Sequence, residues 1–415
     1  MEKKNYIPSF LIAYLLSIGG LNRMMGILLG RSDGIMMLNL IPVAALIALH
    51  FFISDKKNDL NMDKKALLFV YYVVSVIVVY KYAAVRTTFS YINVFIYCFI
   101  PIYISFYKVD VEKVLKFMML FSVLVIPVSN DFFRDLGYHY ETIGMSTTYN
   151  ILPFVIAAIV HFMYYRKTAG FWTWIGYGIN IYYLMKIIYL GNRGPIISLM
   201  VCALLLIIRK INPDGTVHKS TGRFLFITVA VGILAILVVS NIESIILSVH
   251  SWLRNMDINL AFVNKSVAKI QQGDLSNGRN YLFEFVIDGI KDNYLIGNGI
   301  SSISYKSFGR FVYPHNLFLQ MWYDLGVIVS IPLFLVVVRS VKKTAFDYNT
   351  NKDMVAMLIL LFTLSIPRLC YSSEFWDNTT FWFLMMFSIS PNVYSRNITV
   401  GEISDTDKKT GETNE

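Results

Sequence analysis

The sequence predicts an all-α polytopic membrane protein of about 12 transmembrane helices, with one large extracytoplasmic loop containing amphipathic helices. Three observations predict it. Of 415 residues, 56% are hydrophobic and only 15% charged, where a soluble domain carries about a quarter charged. The mean hydropathy is +0.54. Long apolar runs recur from end to end, whereas a β-barrel would show alternating segments of about ten residues.

The apolar runs fall at 7–29, 35–53, 66–81, 88–107, 114–128, 149–165, 171–190, 194–209, 223–246, 315–338, 354–371 and 379–392. The start, MEKKNYIPSFLIAYLLSIGG, has the basic opening of a signal peptide but no convincing small-x-small cleavage site. It therefore reads as an uncleaved first helix. Several runs are shorter than the roughly 20 residues of a bilayer crossing, which implies little tilt or local thinning of the membrane.

An even number of spans puts both termini on one side, and the positive-inside rule chooses the cytoplasm. With the N-terminus inside, 22 of the 37 Lys and Arg fall in cytoplasmic segments. The net charge of +10 is then mostly topology, and no nucleic-acid partner is implied. The expected division is a bundle of helices 1–9 over 1–246, an extracytoplasmic loop with interfacial helices over 247–314, helices 10–12 over 315–392, and a polar, disordered cytoplasmic tail over 393–415.

The loop does not read as disordered. SWLRNMDINLAFVNKSVAKIQQ sets Leu253, Met256, Leu260, Val263, Val267 and Ile270 at helical spacing, and NYLFEFVIDGIKDNYLI does the same with Leu282, Phe285, Val286 and Ile290. Two amphipathic helices resting on the membrane or the bundle satisfy both patterns, with QQGDLSNGR as the turn between them. The three cysteines, Cys98, Cys202 and Cys370, are odd in number and lack paired Cys/His spacing. Neither a disulfide framework nor a zinc site is expected.

Ionisable groups in or near hydrocarbon are costly, so their placement is informative. On the predicted outer side stand Lys186, Arg193 in YLGNRGPII, Arg279 in SNGRNYLF, Arg310 in SFGRFVYPHN, His315 at the start of span ten, and Arg368 in SIPRLCYSS. Asp324 lies deeper in span ten. Four of them have a purely structural alternative, while Arg193, between Gly191 and Gly194, is harder to dismiss because glycines allow close approach of a phosphate or helix. Arg310 and Arg368 could snorkel to the interface, Lys186 could pair with Asp324, and His315 could simply open a helix. Their convergence at similar depth points instead to a polyanionic head group, because guanidinium forks grip phosphate oxygens bidentately at any relevant pH.

GNRGPIISLM, then NGRNYLFEFVIDGI followed by YLIGNGISS, then PHNLFLQMWYDLGVIVSIPLFL resemble the O-antigen ligase and polymerase superfamily. The resemblance covers roughly 190–335. It implies a Wzy-type glycosyltransferase that moves a glycan from undecaprenyl pyrophosphate on the outer face of a bacterial plasma membrane. A polymerase of O-antigen or capsule would add the chain to another lipid-linked repeat unit. A ligase would add it to lipid A core or another acceptor, completing lipopolysaccharide. Arg193 and Arg279 would contact the donor pyrophosphate, with Arg279 and His315 the catalytic pair and His315 facing the acceptor. Arg310, Arg368 and Lys186 join the pyrophosphate set on charge and depth, with Asp324 as ion-pair support.

The residue types suit that chemistry. Pyrophosphate already activates the anomeric carbon, so no cofactor and no nucleotide site are needed, and a neutral imidazole with a pKa of about 6.5 can take the acceptor proton. No metal is implied: the outer side lacks an obvious Asp cluster, and Asp131, Asp135 and Glu141 read as a solvated face. Expected partners are the lipid-linked donor and acceptor, the bilayer, and chain-length regulator and flippase proteins. A non-enzymatic alternative is a lipid-linked oligosaccharide transporter or flippase, for which paired repeats with broken helices would be the signature.

Overall fold

A computed structural model describes residues 6–29, 43–45, 47, 63–80, 94–129, 140–211, 242–257, 261–271, 279–347 and 350–394. The described chain is helical, because helices satisfy their own backbone groups where no water can. The elements are α1 (Ile7–Leu29), α2 (Lys64–Tyr80), a π turn (Phe95–Phe99) leading into α3 (Ile100–Ile104), α4 (Val111–Leu124), α5 (Tyr140–Tyr165), α6 (Phe171–Leu190) and α7 (Arg193–Ile211). Then come α8 (Ile242–Asn255), α9 (Ala261–Gln271), α10 (Arg279–Asp292), α11 (Ser302–Lys306), α12 (Leu317–Ala345), α13 (Lys352–Tyr371) and α14 (Thr379–Ile389). Four helical stretches among the described residues are long and apolar enough to cross a membrane: Ile7–Leu29, Met145–Thr168, Leu317–Ala345 and Lys352–Tyr371. The runs at 35–53 and 223–246 lie outside the described residues except for a few positions.

α13 is the centre of the bundle. It packs on α5, α7, α12 and α14, and Met354 to Leu361 are buried all round, as expected of a helix apolar on every face. α1 lies against α4 and α5, and α6 against α4 and α5. Lipid removes the hydrophobic drive between such helices, so close packing holds them. Phe375, Trp376, Phe381 and Trp382 supply much of it, with ring centroids 4.6 Å apart for Phe375–Trp376 and 5.6 Å for Trp376–Trp382.

One end of the bundle is basic. Arg209 donates to the carbonyls of Thr344 at 2.7 Å and Asp347 at 2.9 Å, and also to that of Lys343. Arg339 and Lys343 both donate to the Ser388 carbonyl, at 2.9 and 2.7 Å. Cations thus satisfy the orphan carbonyls at the ends of α12 and α14. These are residues the charge rule assigns to the cytoplasm. The opposite end carries the starts of α7, α12 and α14 and the end of α13.

The loop differs from expectation in two places. The first amphipathic segment is two helices, α8 and α9, and α8 begins before the boundary set at 246/247. The chain closes α8 with i→i+3 bonds at Met256 and Asp257, and Asp257 turns left-handed at φ 55°, a conformation Asp tolerates. The second segment is α10, and it rests on α12: Leu282 and Val286 pack with Ile303 and Tyr323. The turn 272–278 lies outside the described residues.

α12 is also not one regular helix. Gly326 interrupts it at φ 69°, ψ 174°, and there the loop crosses it. Asn298 N donates to Tyr323 O at 2.7 Å, Gly299 N to Asp324 O at 2.8 Å, and Val327 N to Tyr294 O at 2.9 Å. The backbone groups freed by the break are thereby used. A Cβ on Gly297 would fall 2.4 Å from Gly326 N, so both positions require glycine.

Candidate active site

The carbonyls of a helix's last turn have no intrahelical partners. At the end of α13 the loop supplies the donors. Arg279, first residue of α10, donates from Nη2 to the Tyr371 carbonyl at 3.2 Å. His315 Nδ1 lies 3.0 Å from the same oxygen. The Tyr313 hydroxyl donates to the next carbonyl, Ser372 O, at 3.0 Å, and its ring meets His315 edge-on with centroids 4.5 Å apart.

His315 is not part of the helix it precedes. Asn316 caps α12, its Oδ1 accepting from Phe318 N at 3.0 Å and Leu319 N at 3.2 Å. His315 sits before the cap at φ 54°, a left-handed conformation uncommon for residues with a side chain but one that histidine adopts more readily than most. Because a carbonyl only accepts, Nδ1 carries the proton and Nε2 keeps its lone pair. Burial lowers the imidazole pKa below its usual value, and the Arg279 charge lowers it further, partly offset by the bond to Tyr371. The ring is therefore a neutral base near pH 7.

About one turn before Tyr371 stands Arg368, its guanidinium 5.1 Å from the centre of the Tyr149 ring. Its Nε is buried and has no hydrogen-bond partner. Ser372 Oγ donates to the Tyr149 hydroxyl at 2.7 Å. That hydroxyl occupies the space a side chain on Gly194 would need: a Cβ there would lie 1.8 Å from it. The missing side chain lets the Arg193 turn close on Tyr149, and Asn192 Nδ2 fastens the turn to Thr148 Oγ1 at 3.0 Å. Arg193 opens α7, exposed, with Nη2 donating to Ser266 Oγ on α9 at 2.9 Å.

Arg193, Arg279, His315 and Arg368 thus come to one end of the bundle, joined through Tyr149, Tyr371 and Ser372. Lys186 is half-buried on α6, short of the Gly191 turn. Arg310 does not join this arrangement: it is exposed and lies over the neighbouring Phe311 ring, 5.3 Å from its centre. Asp324 forms no ion pair with Lys186 or with an arginine. It is 1% exposed, and its Oδ2 accepts from Trp376 Nε1 at 3.2 Å and Gln320 Nε2 at 3.4 Å, while Oδ1 has no partner. Trp376, on the α13–α14 loop, is thus the partner in place of Lys186.

That loop also holds two carboxylates the sequence reading overlooked, in SSEFWDN. Burial raises Glu374 well above the usual carboxylate range, helped by Asp324 and Asp377, while Ser301 and Gln320 hydrogen-bond to it. Burial pushes Asp377 up to about 6. This end of the bundle does gather acids, but no group of three His, Cys, Asp or Glu among the described residues is disposed to hold a metal ion. Asp131 and Asp135 lie outside the described residues.

The family described as O-antigen ligase matches residues 178–334. The matched segment runs from within α6 to within α12 and contains Lys186, Arg193, Arg279, Arg310, His315 and Asp324, leaving Arg368 outside it. No curated protein matches the chain.

Proposed function

Residues 178–334 carry a domain of the O-antigen ligase and polymerase superfamily, and from that premise we propose that the chain is a polysaccharide repeat-unit polymerase. It transfers a glycan from undecaprenyl pyrophosphate to a sugar hydroxyl of another lipid-linked repeat unit, on the outer face of the plasma membrane. The observation that carries the reading is the meeting of Arg279 and His315 on the Tyr371 carbonyl.

The acceptor hydroxyl loses its proton to His315 Nε2 as its oxygen attacks the anomeric carbon. The bond to the pyrophosphate oxygen breaks, and undecaprenyl pyrophosphate leaves with the bonding electrons. Charge grows on that leaving group, and fixed guanidinium groups stabilise it. Arg193 and Arg279 suit this task doubly, since each stands at a helix start where the backbone also favours an anion. Arg368 and Lys186 complete the phosphate-binding set. The basic end of the bundle supports reading that side as cytoplasmic, and with it a site on the outer face.

A ligase would use the same donor site with a different acceptor, and the description of the matching family favours keeping it as the second reading. Purified protein in lipid nanodiscs, given undecaprenyl-pyrophosphate-linked repeat units in EDTA, tests the proposal. Longer lipid-linked glycans with release of undecaprenyl pyrophosphate are expected. No elongation, with transfer only to added lipid A core, would make the chain a ligase.

A further inference from the structure

Outside the matched segment lies a cavity of about 350 Å³ between α1, α5 and the loop from α13 to α14. None of its lining residues falls within 178–334. It shares Arg368 and Tyr149 with the site above, and Tyr149 abuts the Arg193 turn. The remaining polar lining includes Asp377, Asn150, Ser373 and Tyr97, set against an apolar wall of α1. Gly19 brings that wall close: a Cβ on it would lie 2.8 Å from Asn150 Oδ1.

We propose that this cavity is the subsite for the donor's first sugar, the ring bonded to the pyrophosphate; the proposal rests on the glycosyl-transfer reading above. Three features carry it. Its volume lies at the low end of the roughly 300–1,000 Å³ of ligand pockets, right for a sugar residue and too small for a polyprenyl tail. Its lining is amphipathic: a carboxylate, an amide and a hydroxyl to bind ring hydroxyls, tyrosines and an aliphatic wall to meet the C–H faces. Its position follows the chemistry of the donor. Pyrophosphate is common to all such donors, and its proposed ligands Arg193 and Arg279 lie in the matched segment. The sugar varies between polysaccharides, and the cavity is built from the unmatched remainder of the chain. Arg368, with its partnerless buried Nε, stands where the two regions meet.

The test is equilibrium binding to full-length protein in nanodiscs, with two probes: sugar-free undecaprenyl pyrophosphate, and the undecaprenyl-pyrophosphate-linked repeat unit from a strain lacking this protein. Ser373→Ala, which removes a hydroxyl, and Asp377→Asn, which exchanges an acceptor oxygen and its charge for an amide donor, are compared with the parent. The expected result is roughly tenfold weaker binding of the sugar-bearing lipid by each variant, with binding of the sugar-free lipid unchanged. Equal binding of both probes by parent and variants would overturn the subsite while leaving the donor site intact. Loss of both probes together would also overturn it, since the cavity would then serve the pyrophosphate or the fold. Failure of the parent to bind either probe would instead refute the glycosyl-transfer reading on which the subsite depends. Competition by the lipid-free repeat oligosaccharide, lost in the variants, would move the cavity to the acceptor and contradict the donor assignment.

Discussion

Arg279 and His315 share one acceptor, the backbone carbonyl of Tyr371, at 3.2 and 3.0 Å. A helix end that needed donors has thereby fixed a guanidinium beside an imidazole and set the imidazole's tautomer. The carbonyl has two lone pairs, so both bonds form together. A change to either residue should therefore be felt by the other.

Arg279→Lys keeps the charge and loses the planar fork. It should lower the rate of glycan transfer about 10²-fold or more, the scale for losing one stabiliser of developing charge, with normal amounts of protein in the membrane. Turnover measured in nanodiscs checks this. Parental activity in the variant would exclude bidentate contact.

The neutral state of His315 predicts a pH profile. Its pKa lies below the usual 6.5, so the base form, and with it kcat/KM, should increase as pH rises through a value under 6.5 and then level off through pH 8. Arg279→Ala removes the charge that, after burial, depresses the pKa. The ascending limb should then shift to higher pH. A limb that stays in place would show that His315 is not the titrating group.

Gly326→Ala should be among the most destructive small substitutions. Its φ of 69° strains any side chain, and a Cβ would lie 2.4 Å from Gly297 N and 2.5 Å from Leu295 C. These are backbone atoms pinned by the hydrogen bonds across the α12 break. The apparent Tm in detergent should fall by several degrees or more, or the chain should fail to assemble. Val327→Ala, one residue on, is the control and should have little effect.

Asp377 predicts an effect of pH on stability. Its carboxyl titrates near 6 in the folded chain against an ordinary 3.8, so the folded state holds the proton more tightly. Stability is then fully present below about 4, falls as pH rises to about 6, and is flat above. Asp377→Asn removes the cost of ionising the buried group. It should raise the apparent Tm at pH 7.5 and leave it unchanged at pH 4; the reverse order would contradict the assignment.

Hydropathy alone located much of the helical framework. The runs at 7–29 and 171–190 coincide with α1 and α6, since apolar length, and for α6 the flanking Gly170 and Gly191, leave little freedom. Arg193, Arg279, His315 and Arg368 were found by charge in apolar context, and the structure brings them to one end. Arg310 carried the same signal but lies out on the loop over Phe311. The acceptor that joins Arg279 to His315 is a backbone oxygen, and no residue identity announces it. Gly326 breaks α12 inside a run whose mean hydropathy stays high across it, so hydropathy passes over it. Glu374 and Asp377 stand beside Phe375 and Trp376, between two apolar runs, and it is the folded α13–α14 loop that buries them.

The central claim is that His315 takes the acceptor's proton during glycan elongation. The most direct test is a gel of surface polysaccharide from a deletion strain complemented with the parental chain or with His315→Ala, at matched protein levels. Long ladders with the parent, and single repeat units on their normal anchor with the variant, are predicted. Ladders of equal length in the two strains would contradict it.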